Sequence, residues 1–407
     1  MKIMVVSENS MELDNKETKK HRNYFQVDIL KTVMIFLVIF DHTVPWSIKD
    51  YLGVSLWERI SIPVFMVIIG FNFGKSFQSK KTPLLESYYT REYFWNKFFR
   101  FFVPFLILYL VSTIIGGFIY GFSISQIESG QWVTSGGLKY NALNLLIGIL
   151  PFWGPGNWFI PVIFGAVIIL PGLYKGFSES RSRAIYILIL CFIIEIIVQT
   201  IIFTTFKNPN PPPTFASWES YYYALFFIYS IFLLFSAVGF GMWFSRDHNL
   251  FSKNNIFVWI LFPISLIYLI AYQFYDYRIL VNGIPFLTGD YNFMVFPYSA
   301  FLFLVAMKVF PKNSKSTVAK KIKTISRATY HILLVQILYF AIVFAVYGDH
   351  YGASIFGINQ NNEFIVYLNL IINWVICIPS GVFWWHTEQR IIRYFRSKIE
   401  IEPEPPF

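Results

Sequence analysis

The chain has 407 residues, 56% of them hydrophobic and only 14% charged, with a mean hydropathy of +0.52. This composition excludes an ordinary soluble protein and fits a polytopic membrane protein, whose lipid-facing surfaces and interfacial belts would use the 46 Phe and 26 Tyr. A formal charge of +10 would suggest nucleic acid in a soluble protein. Here the basic residues follow loop topology instead, and no nucleic-acid partner is expected.

Residues 1–24 read as a polar cytoplasmic tail, with no cleavable signal peptide, because the apolar stretch that follows is full length. That stretch, Phe25 to Trp46, is long enough to cross a hydrocarbon core of about 30 Å. It nevertheless carries Asp28, Lys31, Asp41 and His42. A charge at membrane depth costs roughly 2.5–3.5 kcal/mol on insertion scales, so several in one span require an explanation. Lys31 and His42 are eleven positions apart. At ~100° per residue they share one helix face, separated by about 16 Å of rise. A cation near one surface and an imidazole near the other suit chemistry that reaches across a bilayer.

Apolar segments predict ten spans, at about 26–46, 59–78, 98–120, 157–175, 184–206, 221–245, 254–275, 292–310, 328–347 and 364–387. Asn144 to Trp153 is too short to cross and reads as re-entrant or interfacial, with eleven spans as the rival. Alternate segments hold 27 Lys and Arg on the side of the tail and 5 on the other, so both termini are expected in the cytoplasm. The run Asn208 to Pro213 reads as an extended polyproline connector in an outer loop. The basic patch Lys312 to Lys323 is suited to anionic headgroups. Cys191 and Cys377 lie inside apolar stretches and read as buried small hydrophobes rather than a disulfide or metal pair. The fold class is thus an all-α transmembrane helical bundle, with a membrane domain at 25–390 and a cytoplasmic tail at 391–407. No internal repeat is visible, and no loop is long enough to form a soluble domain.

The pattern of Lys31, ten residues, then His42, with Asp28 just before the Lys, resembles the first span of the acyltransferase 3 family. Further matches follow in that family's order along the chain. They are Pro63 to Phe77 with its Gly-Phe turn, Lys97 and Arg100 before VPF, Gly156 to Pro161 (GNWFIP), Ser326 to Ile337, and Glu388 near the end. Ile69 and Gln336 stand where family members often carry Ser and His, and Lys97 where Arg is usual. The resemblance implies an integral-membrane O-acyltransferase. It would move an acyl group, most often acetyl, from acyl-CoA (acetyl-CoA) to a hydroxyl of a glycan or lipid-linked sugar, with no metal.

On that expectation His42 is the general base, since an imidazole with a pKa near 6.5 can take the proton of an attacking hydroxyl. Lys31 holds donor phosphate or orders the bundle interior. Lys97 and Arg100 lie at the cytoplasmic mouth of the third span, where cations suit CoA phosphates, although ordinary positive-inside flanking explains the pair as well. Trp158 lines the donor tunnel or is aromatic packing. Arg59, Asp41 and Glu195 are candidates for the substrate side. For Glu195, near the middle of the fifth span, a protonated acid hydrogen-bonded to a neighbour is the simpler account. His350 lies in an outer loop, where it binds the acceptor or nothing. A transporter or flippase using the same charges as a relay is the alternative.

Overall fold

The computed structural model describes residues 24–78, 84–120, 142–148, 150, 154–203, 230–281, 284–287 and 291–398. The expected polar tail up to residue 23, residues 149 and 151–153 of the Asn144–Trp153 piece, the polyproline connector and the start of the 221–245 span lie outside them. In chain order the helices are α1 (Phe25–Thr43), α2 (Trp46–Leu52), α3 (Ser61–Gln78), α4 (Arg91–Lys97), α5 (Val103–Tyr120), α6 (Ala142–Ile147) and α7 (Phe159–Glu179). They continue with α8 (Arg181–Ile202), α9 (Phe235–Arg246), α10 (Ile256–Tyr275), α11 (Phe296–Val309), α12 (Thr317–Tyr347) and α13 (Glu363–Lys398). Two small antiparallel hairpins are added to the all-α plan, Ile279–Val281 with Ile284–Leu287 and Ala353–Ser354 with Gly357–Ile358. The last helix continues past residue 390, where the sequence suggested a tail.

Among the described residues, seven helical segments are long and apolar enough to cross a membrane. Two more apolar helical segments, Ile231–Arg246 and Phe296–Val309, are shorter. α1 spans 19 residues and carries Asp28, Lys31 and Asp41 along the way.

The distribution of polarity is that of a bundle in lipid. On α8, Ile185, Tyr186, Ile189, Leu190, Ile193, Ile196 and Ile197 form an exposed stripe at helical spacing, while Glu195 and Cys191 face inward. An apolar outside and a polar inside suit lipid and would not suit water. Cys191 and Cys377 are both buried thiols, not bridged to each other.

Close helix contact comes from small residues, as packing without a hydrophobic driving force requires. α3 and α9 form the most extensive helix pair. Gly70 lies against the Val238 carbonyl and Gly241 against the Val67 carbonyl, so a methyl at either would strike backbone. α1 packs on α3, α11, α12 and α13, which carries its charged face into the bundle.

Candidate active site

The outer half of the site begins where α1 stops. Pro45 biases Val44 toward extended backbone (φ −82°, ψ 128°), so the helix ends at Thr43 with His42 in its last turn. The terminal carbonyls are taken by other groups. Val44 donates to the Phe40 carbonyl at 2.9 Å, Gly352 donates to that of Thr43, and the Lys49 ammonium donates to that of Asp41. Lys49 folds back from α2 and is fully buried. Its Nζ lies 2.6 Å from Asp41 Oδ1, and 4.6 and 4.7 Å from the ring centres of Trp46 and Tyr351. Arg59 donates to the same carboxylate oxygen at 3.0 Å, with its guanidinium 4.8 Å from the Trp46 ring and 5.6 Å from that of Tyr291.

One Asp41 oxygen therefore serves two cations, while Oδ2 lies 3.8 Å from His42 Nδ1. The other His42 nitrogen, Nε2, faces the turn before α7. A methyl built on Gly156 (φ +87°) would sit 3.7 Å from it and 3.5 Å from Gln336 Nε2. His42 keeps 16% of its side-chain surface accessible. The imidazole is thus backed by a carboxylate on one nitrogen and open on the other, an arrangement able to accept a proton from a bound hydroxyl.

A second imidazole stands beside it. His350 has its ring centre 6.0 Å from that of His42 and 4.1 Å from that of Tyr351. Burial pushes the His350 imidazole down to about 4, against the pull of Asp349. Its loop is fixed by Asn373, which donates to Thr43 Oγ1 at 3.0 Å and to the Ala353 carbonyl at 2.9 Å. Tyr339 in turn donates to Asn373 Oδ1 at 2.6 Å.

The inner half lies lower on α1. Ser326 donates to Asp28 Oδ1 at 2.6 Å, tying α12 to α1 beside Lys31. The charges acting on Lys31 are those of Arg100, Asp28 and Arg327. Arg100 sits in a π-helical turn, Phe98–Phe102, between α4 and α5; such turns often mark functional positions. Tyr330 donates to the Phe101 carbonyl at 2.9 Å, fixing that turn against α12. Near this level His331 Nε2 and Glu388 Oε2 pair at 2.5 Å, both buried.

The expected residues thus divide. His42, Asp41 and Arg59 form one outer cluster. Lys31 and Arg100 belong together at the inner end of the same helix. Lys97 has its ammonium on the rings of Phe73 (4.5 Å) and Tyr93 (5.5 Å), on α3 and α4. Trp158, expected with the donor cations, packs on Tyr291 at 5.7 Å, which places it at the level of Arg59 and His42. Glu195 takes hydrogen bonds from the Ser236 hydroxyl and, at 3.1 Å, from the Ser236 amide, joining α8 to α9.

Lys49, Tyr351 and Arg327 were not found by sequence reasoning, and His350 was placed only in an outer loop. For Lys49 a signal existed, a lysine seven residues after His42 in a loop otherwise poor in cations. Tyr351 carried none, and nothing local placed His350 beside His42, because loop packing brings both in.

A family profile for an acyltransferase domain matches residues 24–385. No curated protein and no solved structure matches the chain. Covering nearly the whole chain, the match agrees with an imidazole backed by a carboxylate inside an apolar-faced bundle: this protein belongs to the acyltransferase 3 family and is a membrane acyltransferase.

Proposed function

We propose that the protein is an O-acyltransferase of the cell membrane, with ten spans and both termini in the cytoplasm, that acts on cell-envelope carbohydrate. It takes an acyl group, acetyl first among candidates, from cytosolic acyl-CoA and delivers it to a hydroxyl of a surface or lipid-linked sugar. The observation that carries this is the placement of two kinds of group on one face of α1. Cations gather around Lys31, and His42 stands about 16 Å further along the helix. Phosphates held at the inner end leave the extended pantetheine arm directed toward the imidazole.

In the reaction His42 Nε2 accepts the proton of the acceptor hydroxyl as its oxygen bonds to the thioester carbonyl carbon. The tetrahedral intermediate collapses with cleavage of the C–S bond, and the same proton passes to the departing sulfur. Asp41 Oδ2 stabilises the imidazolium formed in between, and Lys49 and Arg59 keep that carboxylate ionised and oriented. Trp46, Trp158, Tyr291 and Tyr351 offer ring faces around the outer opening, where an apolar sugar face can rest.

The test is thiol release. Purified protein in nanodiscs is given a series of acyl-CoA donors with and without host envelope glycan, and free CoA is measured. Glycan-dependent release, greatest with acetyl-CoA, supports the proposal. Release of the same size with and without glycan contradicts the acceptor, and a preference for long chains contradicts the acetyl assignment.

A further inference from the structure

We infer that Arg327, rather than Lys97, completes with Lys31 and Arg100 a three-cation site for the phosphates of the donor; this rests on acyl-CoA being that donor. The Ser326 bond to Asp28 and the Tyr330 bond to the Phe101 carbonyl bracket Arg327 from both sides. They hold this stretch of α12 against α1 beside Lys31 and against the π-helical turn that carries Arg100. Lys31 and Arg327 have no hydrogen-bond or ion-pair partner among the described residues, although the Arg327 charge acts on Lys31. Arg327 and Arg100 are both exposed and Lys31 is partly accessible, so all three can be reached by a ligand.

The charge balance calls for an anion. Lys31 and Arg327, with the Arg100 charge also acting on Lys31, have one nearby carboxylate, Asp28, which is itself engaged by Ser326. Like charges brought together repel unless an anion lies among them, and a phosphate group would supply one. Guanidinium groups bind phosphate in bidentate fashion, which suits Arg100 and Arg327 to flank it with Lys31 as a point charge. The π-helical turn accounts for the exclusion of Lys97. Its i→i+5 winding turns less per residue than an α-helix and so separates the directions of Lys97 and Arg100, and the Lys97 ammonium rests on Phe73 and Tyr93 instead.

The experiment is CoA binding to purified full-length protein in phosphatidylcholine nanodiscs, measured by calorimetry. Arg327→Gln and Arg100→Gln are each expected to weaken CoA by roughly tenfold to a hundredfold, with Arg327→Lys losing less. Lys97→Gln should stay within about twofold of wild type, and acetylpantetheine, which lacks the phosphates, should bind all variants alike. Wild type that binds CoA while Arg327→Gln binds it equally overturns the inference and spares the donor assignment. Wild type that binds no CoA overturns both. Should Arg327→Gln fail to fold, competition on wild type decides. Displacement of CoA by inorganic pyrophosphate, with Arg327→Lys less sensitive, supports the site, and no displacement overturns it. Loss of CoA binding when phosphatidylglycerol replaces phosphatidylcholine would assign the cations to a lipid headgroup and overturn the inference.

Discussion

Replacing Asp41 by Asn should destabilise the protein, and adding Lys49→Met to that variant should restore stability. Lys49 has no accessible surface, and its ammonium bonds to the carboxylate and the carbonyl of Asp41. With its bonded partner removed, the buried ammonium keeps only the weaker pull of Glu58, at a cost of about 3–5 kcal/mol. Arg59 loses the same carboxylate, but it keeps 16% accessibility and the Trp46 ring, so its share is about 1 kcal/mol or less. Lys49→Met alone leaves Asp41 paired with Arg59 and strips only the Asp41 carbonyl, which costs about 1–3 kcal/mol. The double variant has no stranded ammonium and should lose about as much as Lys49→Met. It would then be more stable than Asp41→Asn by roughly 2 kcal/mol. Thermal unfolding of the four proteins in one detergent, read by size-exclusion fluorescence, measures this. Additive losses, with the double variant the least stable, would refute a charged buried Lys49.

Gly241→Ala puts a methyl against the Val67 carbonyl, which no side chain can relieve, whereas Gly176→Ala meets only the Ile187 side chain and no backbone. The first should cost more than about 3 kcal/mol and collapse the yield of folded protein, and the second should be mild. Gly156→Val brings a branched side chain to a residue at φ +87° beside His42 Nε2 and should lower kcat roughly 10- to 100-fold with donor binding retained; unchanged kcat would remove that opening from the chemistry. The His350 pKa of about 4 lies below its unfolded value near 6.5, so the unfolded chain binds more protons between these limits. The associated stability is complete above pH 6.5 and falls by about 2–4 kcal/mol as pH drops toward 4. His350→Gln should flatten that loss in thermal unfolding against pH, and an unchanged slope would contradict the assignment.

Much of the inner organisation was legible because it follows helical geometry. Lys31 and His42 share a face of one unbroken helix because eleven residues are close to three turns. The membrane setting was legible because apolar composition outlasts any detail of packing. What escaped depends on events beyond the local sequence. The reversal at Pro45 turns Lys49 from an apparent loop charge into the buried partner of Asp41. The packing of α12 on α1 decides that Arg327 meets Lys31. Five aromatic-rich residues wound as a π turn part Lys97 from Arg100, and nothing in FFRFF announces that winding. Glu195 takes the hydrogen bonds of Ser236, as an acid so deep in an apolar span needs a donor nearby, and its place on the substrate side is not addressed by that bond.

The most direct test of the account is acyl transfer by membranes containing wild type or His42→Ala at matched expression, given labelled acetyl-CoA and glycan extract from the host. The account predicts label in the glycan fraction with wild type and a loss of roughly 100-fold or more with His42→Ala. Equal labelling by the two proteins would contradict it by removing His42 from the chemistry.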